Sequence, residues 1–376
     1  MGAGMVYFDV QRRDLADLAE RSRARRLTVP AGRDFASNDY LALAGDPALA
    51  AAVRGAIDAG VPIGSGGSRL LRGNHAEHAR LEAEAARFFG AERALYFSTG
   101  YAANAALLAT LPQRGDLIVH DALIHASAHE GMRLSRAEAR GAAHNDVDGF
   151  ADAIAAWRAG GGTGRGWIVV ESLYSMDGDQ APLAALAEVA DRHEAILIVD
   201  EAHATGVFGP DGRGLAAGLA GRPNLITLHT CGKALGCEGA LLCGPQVVRD
   251  FLVNRGRAFI FSTAPSPLMA AAVRAALGLI AEPGRRARLR ALIGRAEQLL
   301  APAGVRPTGS QILPLVIGDD ARTMEMAAAL QAQGFDVRGI RPPTVPAGTS
   351  RLRVSLTLNA GEDDVAALAD ALRGLA

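Results

Sequence analysis

Short apolar runs that alternate with helical stretches fill the middle of this chain, and few folds accommodate that rhythm. A strand-like run at 94–97 leads through Ser98-Thr99-Gly100 into a helix-like span at 101–111. Runs at 117–120, 167–171, 195–200, 225–228 and 240–243 then read as buried strands, separated by helical spans such as 183–192. Strands that are apolar throughout are covered on both faces, so the pattern predicts an α/β fold built on a mainly parallel sheet. After Pro245 the texture changes. Helical stretches through Phe251, at 270–280 and at 285–300 precede a strand, a helix and a strand at 312–317, 323–333 and 352–356. The reading is a helix and extended arm at 1–45, a large domain at 46–245 and a smaller α+β carboxyl-terminal domain at 246–376, with no repeat or low-complexity linker between them.

Charge and composition then narrow the function. Thirty-nine basic side chains face forty acidic ones without any clustered basic run, which argues against nucleic acid. The apolar stretches fall far short of the roughly 20 residues that span a bilayer, and the start lacks a basic-then-apolar leader, so a cytoplasmic protein without membrane contact is expected. Cys231, Cys237 and Cys243 suit neither a disulfide framework nor a zinc site and read as small core fillers. One detail stands out: Lys233 is the only lysine, and arginine serves every other basic position. Arginine cannot lose its proton near neutral pH to attack an aldehyde, whereas lysine can. A lone lysine points to covalent amine chemistry, although drift in an arginine-rich chain leaves the same trace.

Ligands of open α/β sheets sit beyond the carboxyl ends of the strands. Asp200 ends the run Ala-Ile-Leu-Ile-Val-Asp, with Glu201-Ala-His203 directly after it. A carboxylate there suits a buried cation such as the protonated ring nitrogen of pyridoxal phosphate (PLP); helix capping or a metal are the alternatives, and no further metal ligands stand at helical spacing. Thr230-Cys-Gly-Lys233 follows the next strand and brings an amine suited to a Schiff base toward the same cleft, with the Thr230 hydroxyl available to phosphate. A nucleotide P-loop is excluded because Thr227 and Ala234 occupy the positions that need Gly and Ser or Thr. Backbone N–H groups at Gly100 and Tyr101 open a helix and suit phosphate, as a plain tight turn also would. His125 can stack on a flat ring or be merely structural. Gly64-Ser-Gly-Gly-Ser-Arg69 lacks the third glycine of a dinucleotide fingerprint, which counts against a nicotinamide dehydrogenase. Arg351 and Arg353 share one side of a strand, and either suits a carboxylate.

These residues resemble the α-oxoamine synthases, PLP enzymes of fold type I, nearly end to end. The resemblance is carried by Ser37-Asn-Asp-Tyr-Leu41, the Gly64–Arg69 loop, His125 with Ser127, Ser175-Met-Asp-Gly-Asp179, Asp200-Glu-Ala-His203, Thr205-Gly206, Thr230 with Lys233, Phe261-Ser-Thr263 and Pro342-Pro-Thr-Val-Pro-Ala-Gly348. It implies that Lys233 holds PLP covalently, Asp200 faces the ring nitrogen, His203 and Ser175 lie near the ring oxygen, and His125 stacks on the ring. Gly100, Tyr101 and Thr230 would hold the phosphate. Asn38 and Arg353 would meet the amino-acid carboxylate and Thr344 the acyl substrate. A homodimer with a shared active site is implied too, with Gly64–Arg69, Ser262 and Thr263 reaching toward the partner. The expected reaction is a decarboxylating condensation of L-alanine with pimeloyl-CoA, or a pimeloyl carrier-protein thioester, in biotin formation. Sister reactions of glycine or serine with other acyl chains are the alternative, and an idle fold-type I binding module would have lost the lysine or the aspartate. Ala204 departs from the family's usual glycine, and an arginine among Arg23, Arg25 and Arg26 would touch substrate.

Overall fold

The computed structural model describes residues 7–375; residues 1–6 of the expected arm and Ala376 lie outside the described residues. In chain order its strands are β1 (Arg33–Asp34), β2 (Arg93–Phe97), β3 (Leu117–Asp121), β4 (Glu138–Ala142), β5 (Gly166–Glu171), β6 (Ile196–Asp200), β7 (Leu225–Thr230), β8 (Ala240–Gly244), β9 (Ile312–Gly318), β10 (Phe335–Asp336), β11 (Arg338–Ile340) and β12 (Ser350–Ser355).

Two compact units emerge. The larger holds Asn38–Ser175 and Asp179–Arg290; the smaller holds the described residues up to Ser37, Met176–Gly178 and the chain from Ala291 onward. The division thus falls inside the helix Pro283–Leu300 rather than after residue 245. The reason lies in packing. Helix Pro267–Ala281 is apolar along much of its surface and packs on the helices Pro47–Asp58 and Ala76–Phe89, partners far away in sequence that no local change of texture reveals.

The larger unit is built on one seven-stranded sheet in the order β2-β8-β7-β6-β5-β3-β4. Strands β4, β3, β5, β6 and β7 pair in parallel, while β8 runs antiparallel to both β7 and β2. The mainly parallel α/β sheet read from the sequence is therefore present. Alternate residues of its strands feed two cores. Ile168, Val170, Leu197 and Val199 pack with Phe150, Ile154 and Leu186 on one face. Trp167, Val169, Ile198 and Ile226 pack with Leu107, Leu108 and Met132 on the other. Each such buried side chain is worth about 1.5–3 kcal/mol relative to exposure, which fixes the register and hence which residue ends each strand. β4 has no counterpart in the sequence reading. Its Glu-Ala-Arg-Gly-Ala text carries no apolar run because it is the sheet's edge, bonded to β3 alone.

The smaller unit carries a three-stranded antiparallel sheet, β11-β12-β9, beside the helices Asp320–Ala332 and Glu362–Arg373, as an α+β reading requires. The amino-terminal helix Asp9–Glu20 leads into an extended stretch whose β1 pairs with β10. Among the described residues no helix is long and apolar enough to cross a membrane, and no cluster of His, Cys, Asp or Glu could hold a metal ion.

Candidate active site

A cavity of about 420 Å³ opens in the larger unit beyond the carboxyl ends of β5, β6 and β7. The fold delivers seven of the residues singled out from the sequence to its wall: Gly100, Tyr101, His125, Asp200, His203, Thr230 and Lys233. Each arrives by a short route. Asp200 is the last residue of β6, His203 follows three residues later, Thr230 ends β7, and Lys233 stands in the turn after it. Gly100 opens the helix Gly100–Thr110 and His125 caps the helix Ala126–Leu134.

Asp200 is 7% exposed and is held by two neutral donors. The Asn104 amide reaches Oδ2 at 2.7 Å, and the Ala202 N–H reaches Oδ1 at 2.9 Å. The same Asn104 amide reaches Ser127 Oγ at 3.0 Å, and Ser127 Oγ meets His125 Nδ1 at 2.8 Å. One polar chain thus runs from Asp200 to the imidazole of His125. Burial lowers that imidazole's affinity for a proton; Asp200 opposes the effect and Lys233 adds to it. His203, 5% exposed, has Nδ1 at 2.6 Å from the Tyr40 hydroxyl, which also reaches Asn38 Oδ1 at 2.9 Å. Its ring orientation is therefore set by two residues from the far amino-terminal side of the unit.

The helix end at Gly100 is shaped for close approach. Thr99 accepts the Ala102 N–H at 3.0 Å, while the N–H groups of Gly100 and Tyr101, in the first helical turn, have no intrahelical acceptor. A Cβ at Gly100 would stand 2.6 Å from Thr230 Cγ2, so this cradle admits only glycine without displacement. The Thr230 hydroxyl bonds the Ala202 carbonyl at 3.3 Å.

Other expected residues stand elsewhere. Ser175 is buried in the loop after β5, with its N–H on the carboxyl of Glu171. Ser262 and Thr263 lie in the loop before helix Pro267–Ala281, beside the glycine-rich loop: the Ala264 N–H bonds the Gly67 carbonyl at 2.9 Å, and Ser65 Oγ bonds the Ala264 carbonyl at 2.8 Å. Thr344 and Arg353 belong to the smaller unit, where Thr344 is exposed and Arg353, on β12, is buried with Nη1 at 2.8 Å from Ser355 Oγ. Arg351, its companion by alternation, is committed to Asp177 at 2.8 Å. Arg23 is likewise committed, to Asp320 at 2.7 Å.

Three contributors escaped the sequence reading. Asn104 is the polar exception within an apolar helix, a signal that was legible. Tyr40 acts only through a contact remote in sequence. Glu171 ends β5 as Asp200 ends β6, and it also lines the cavity.

The residues present in this structure fit PLP. An amine, a hydrogen-bonded carboxylate and an imidazole share one cavity. The side-chain-free cradle at Gly100 presents open N–H groups where an anion would sit.

Comparison with known proteins agrees. The model of the family described as aminotransferase class I and II matches residues 32–372. An 8-amino-7-oxononanoate synthase from Burkholderia cenocepacia is 47% identical over 392 aligned positions, covering 98% of both chains. A high-resolution structure of SPT with PLP internal aldimine superposes with a TM-score of 0.88 at 26% identity, covering 100% of this chain and 98% of that one. The crystal structure of 8-amino-7-oxononanoate synthase from Francisella tularensis gives a TM-score of 0.77 at 28% identity, with 91% and 97% covered.

Proposed function

This chain belongs to the class I and II aminotransferase family and is a PLP enzyme, and from that premise we propose the residues that run its reaction. The reaction is the decarboxylating condensation of L-alanine with a pimeloyl thioester, on CoA or a carrier protein, to 8-amino-7-oxononanoate. The near full-length identity of 47% to a synthase of that name supports it.

When bound, PLP supplies an aldehyde that captures amines and a ring that draws electrons from the adjoining carbon. Lys233 would hold it through its amine and, when that amine is free, would take the α-proton of alanine. Desolvation and a nearby cationic ring keep a lysine amine neutral enough for that task. Asp200 keeps the ring nitrogen protonated, with Asn104 fixing the carboxylate. His125 would stand against the ring, with the Asn104–Ser127 chain holding the imidazole's orientation. Gly100, Tyr101 and Thr230 bind phosphate; His203, set by Tyr40, and Ser175 approach the ring oxygen. The carbon that gives up its proton bonds to the thioester carbonyl as the C–S bond breaks and CoA leaves as the thiolate; the original carboxyl then leaves as carbon dioxide and that carbon takes a proton back. Asn38 and Arg353 bind that carboxylate and Thr344 the acyl group.

We assign Ser262, Thr263 and the Gly64–Arg69 loop to a homodimer interface that completes the site from the partner subunit. Exposed Ile63, Leu71 and Phe261, at 74%, 80% and 71%, support such a surface. The enzyme is assigned to the cytoplasm, where acyl-CoA is available.

One observation favours a second reading: the serine palmitoyltransferase-type structure superposes better than the Francisella synthase. Backbone agreement does not read acyl length, so identity carries more weight here. The test is release of free CoA from purified enzyme given L-alanine with pimeloyl-CoA, glycine with acetyl-CoA or succinyl-CoA, and L-serine with palmitoyl-CoA. Fastest release with the first pair supports the proposal; fastest release with another moves the chain to that sister activity.

A further inference from the structure

Glu171 is the buried acid of the cavity wall that the proposed reaction leaves without a task; Glu238, also on that wall, is exposed. It ends β5 in direct register with Asp200 at the end of β6. Residues so paired on parallel strands project from the same face, and both line the cavity, so two carboxyl groups share one corner. Only 2% of Glu171 is exposed.

The two acids are unequally provided for. Asp200 receives the Asn104 amide and the Ala202 N–H. Glu171 is met by the Ser175 N–H, and its Oε1 has no hydrogen-bond partner among the described residues. Adjacent carboxylates in a buried corner do not both keep their charge; the better-solvated one holds it and the other takes the proton. The charged neighbours of Glu171 are Asp200 on β6, Lys233 after β7 and Asp121 on β3. His125 and His203 stand on the same cavity wall. Glu201 turns to the other face, where it accepts from Ser172. Burial and Asp200 push the Glu171 carboxyl up to about 8, with Lys233 opposing them.

We propose that Glu171 is a positioning residue of the cofactor pocket, a neutral proton-bearing carboxyl that leaves Asp200 as the one charged member of this carboxyl pair. This rests on the cavity being the PLP site. That site must admit an anionic phosphate and then an amino-acid carboxylate, and a second fixed anion would repel both.

Infrared difference spectra of the apoprotein between about pH 6.5 and about pH 9.5 are expected to contain a protonated-carboxyl band that Glu171→Gln removes, while the part due to Glu201 stays. PLP titrations followed by absorbance are expected to give Glu171→Gln a cofactor affinity within about threefold of the unsubstituted chain at the lower pH, and tighter binding than it at the higher pH. Absence of the band, its persistence in Glu171→Gln, or an affinity loss of about tenfold or more at the lower pH overturns the proposal. If Glu171→Gln does not fold, Glu171→Asp must shift the band, and an unshifted band overturns it. Failure of every form to bind PLP would defeat the cofactor reading instead, and the infrared band would still decide whether Glu171 carries the proton.

Discussion

Two strands of one sheet end in aspartate, β3 in Asp121 and β6 in Asp200, and the two carboxylates have opposite uses. Asp121 is fully buried and satisfied from within. It accepts from the His144 ring at 2.9 Å, the Asn145 N–H at 2.8 Å and the Leu123 N–H at 2.7 Å. His144 continues to Asp179 at 2.7 Å, forming a carboxylate–imidazole–carboxylate bridge. Burial works against these charges, yet His144 and the N–H groups hold Asp121 below the ordinary range, and the two aspartates push His144 up to about 10. Among the described residues the donors to Asp200 are neutral, and a cavity lies beside it. A strand-end acid whose neighbouring loop brings a cation is structural; one whose loop brings none is left for a ligand.

Five changes separate the two acids by experiment. Lys233→Ala should lower kcat by about a thousandfold or more with the fold intact, the scale of a lost general base with its covalent role, measured by CoA release alongside circular dichroism. Asp200→Asn should cost about a hundredfold in turnover and leave the unfolding midpoint nearly unchanged. If it unfolds the chain instead, the contrast with Asp121 is gone. His144→Ala leaves the Asp121 anion without its cation and should destabilise the fold by about 2 kcal/mol in urea, below the fully buried limit because His144 keeps contact with solvent. Activity per folded molecule should hold within about twofold. Gly100→Ala should weaken PLP binding by about tenfold, because the new methyl meets Thr230.

The smallest effect is that of pH. His144 binds its proton more tightly folded than unfolded, so its contribution is complete below the unfolded value of about 6.5 and fades as pH rises toward about 10. The raised acids Glu171 and Glu201 also change stability over part of this range. The informative quantity is therefore the difference between the unsubstituted chain and His144→Ala in urea midpoint, expected to shrink from neutral to alkaline pH.

How much of this was readable beforehand follows from what each residue depends on. The strands β5, β6 and β7 and the placement of Asp200, Thr230 and Lys233 at their ends depend on local apolar runs, and these were legible. β4 was not, because an edge strand of polar text has no such run. Leu-Ile-Val-His-Asp121 and Ile-Leu-Ile-Val-Asp200 read alike, and only the arrival of His144 from the loop after β4 separates them. Tyr40 behind His203, and the helix Pro267–Ala281 on its distant partners, are contacts that no spacing announces.

The only lysine side chain of this protein stands in the wall of the cavity beyond β5, β6 and β7. Amine-directed labelling is therefore a single-site assay of occupancy: apart from a chain terminus, a reagent can mark nothing but Lys233. Protection of that one mark reports whatever fills the cavity, whether or not turnover follows. The same scarcity permits a fluorophore or an affinity handle to be attached there without masking any other surface of the chain.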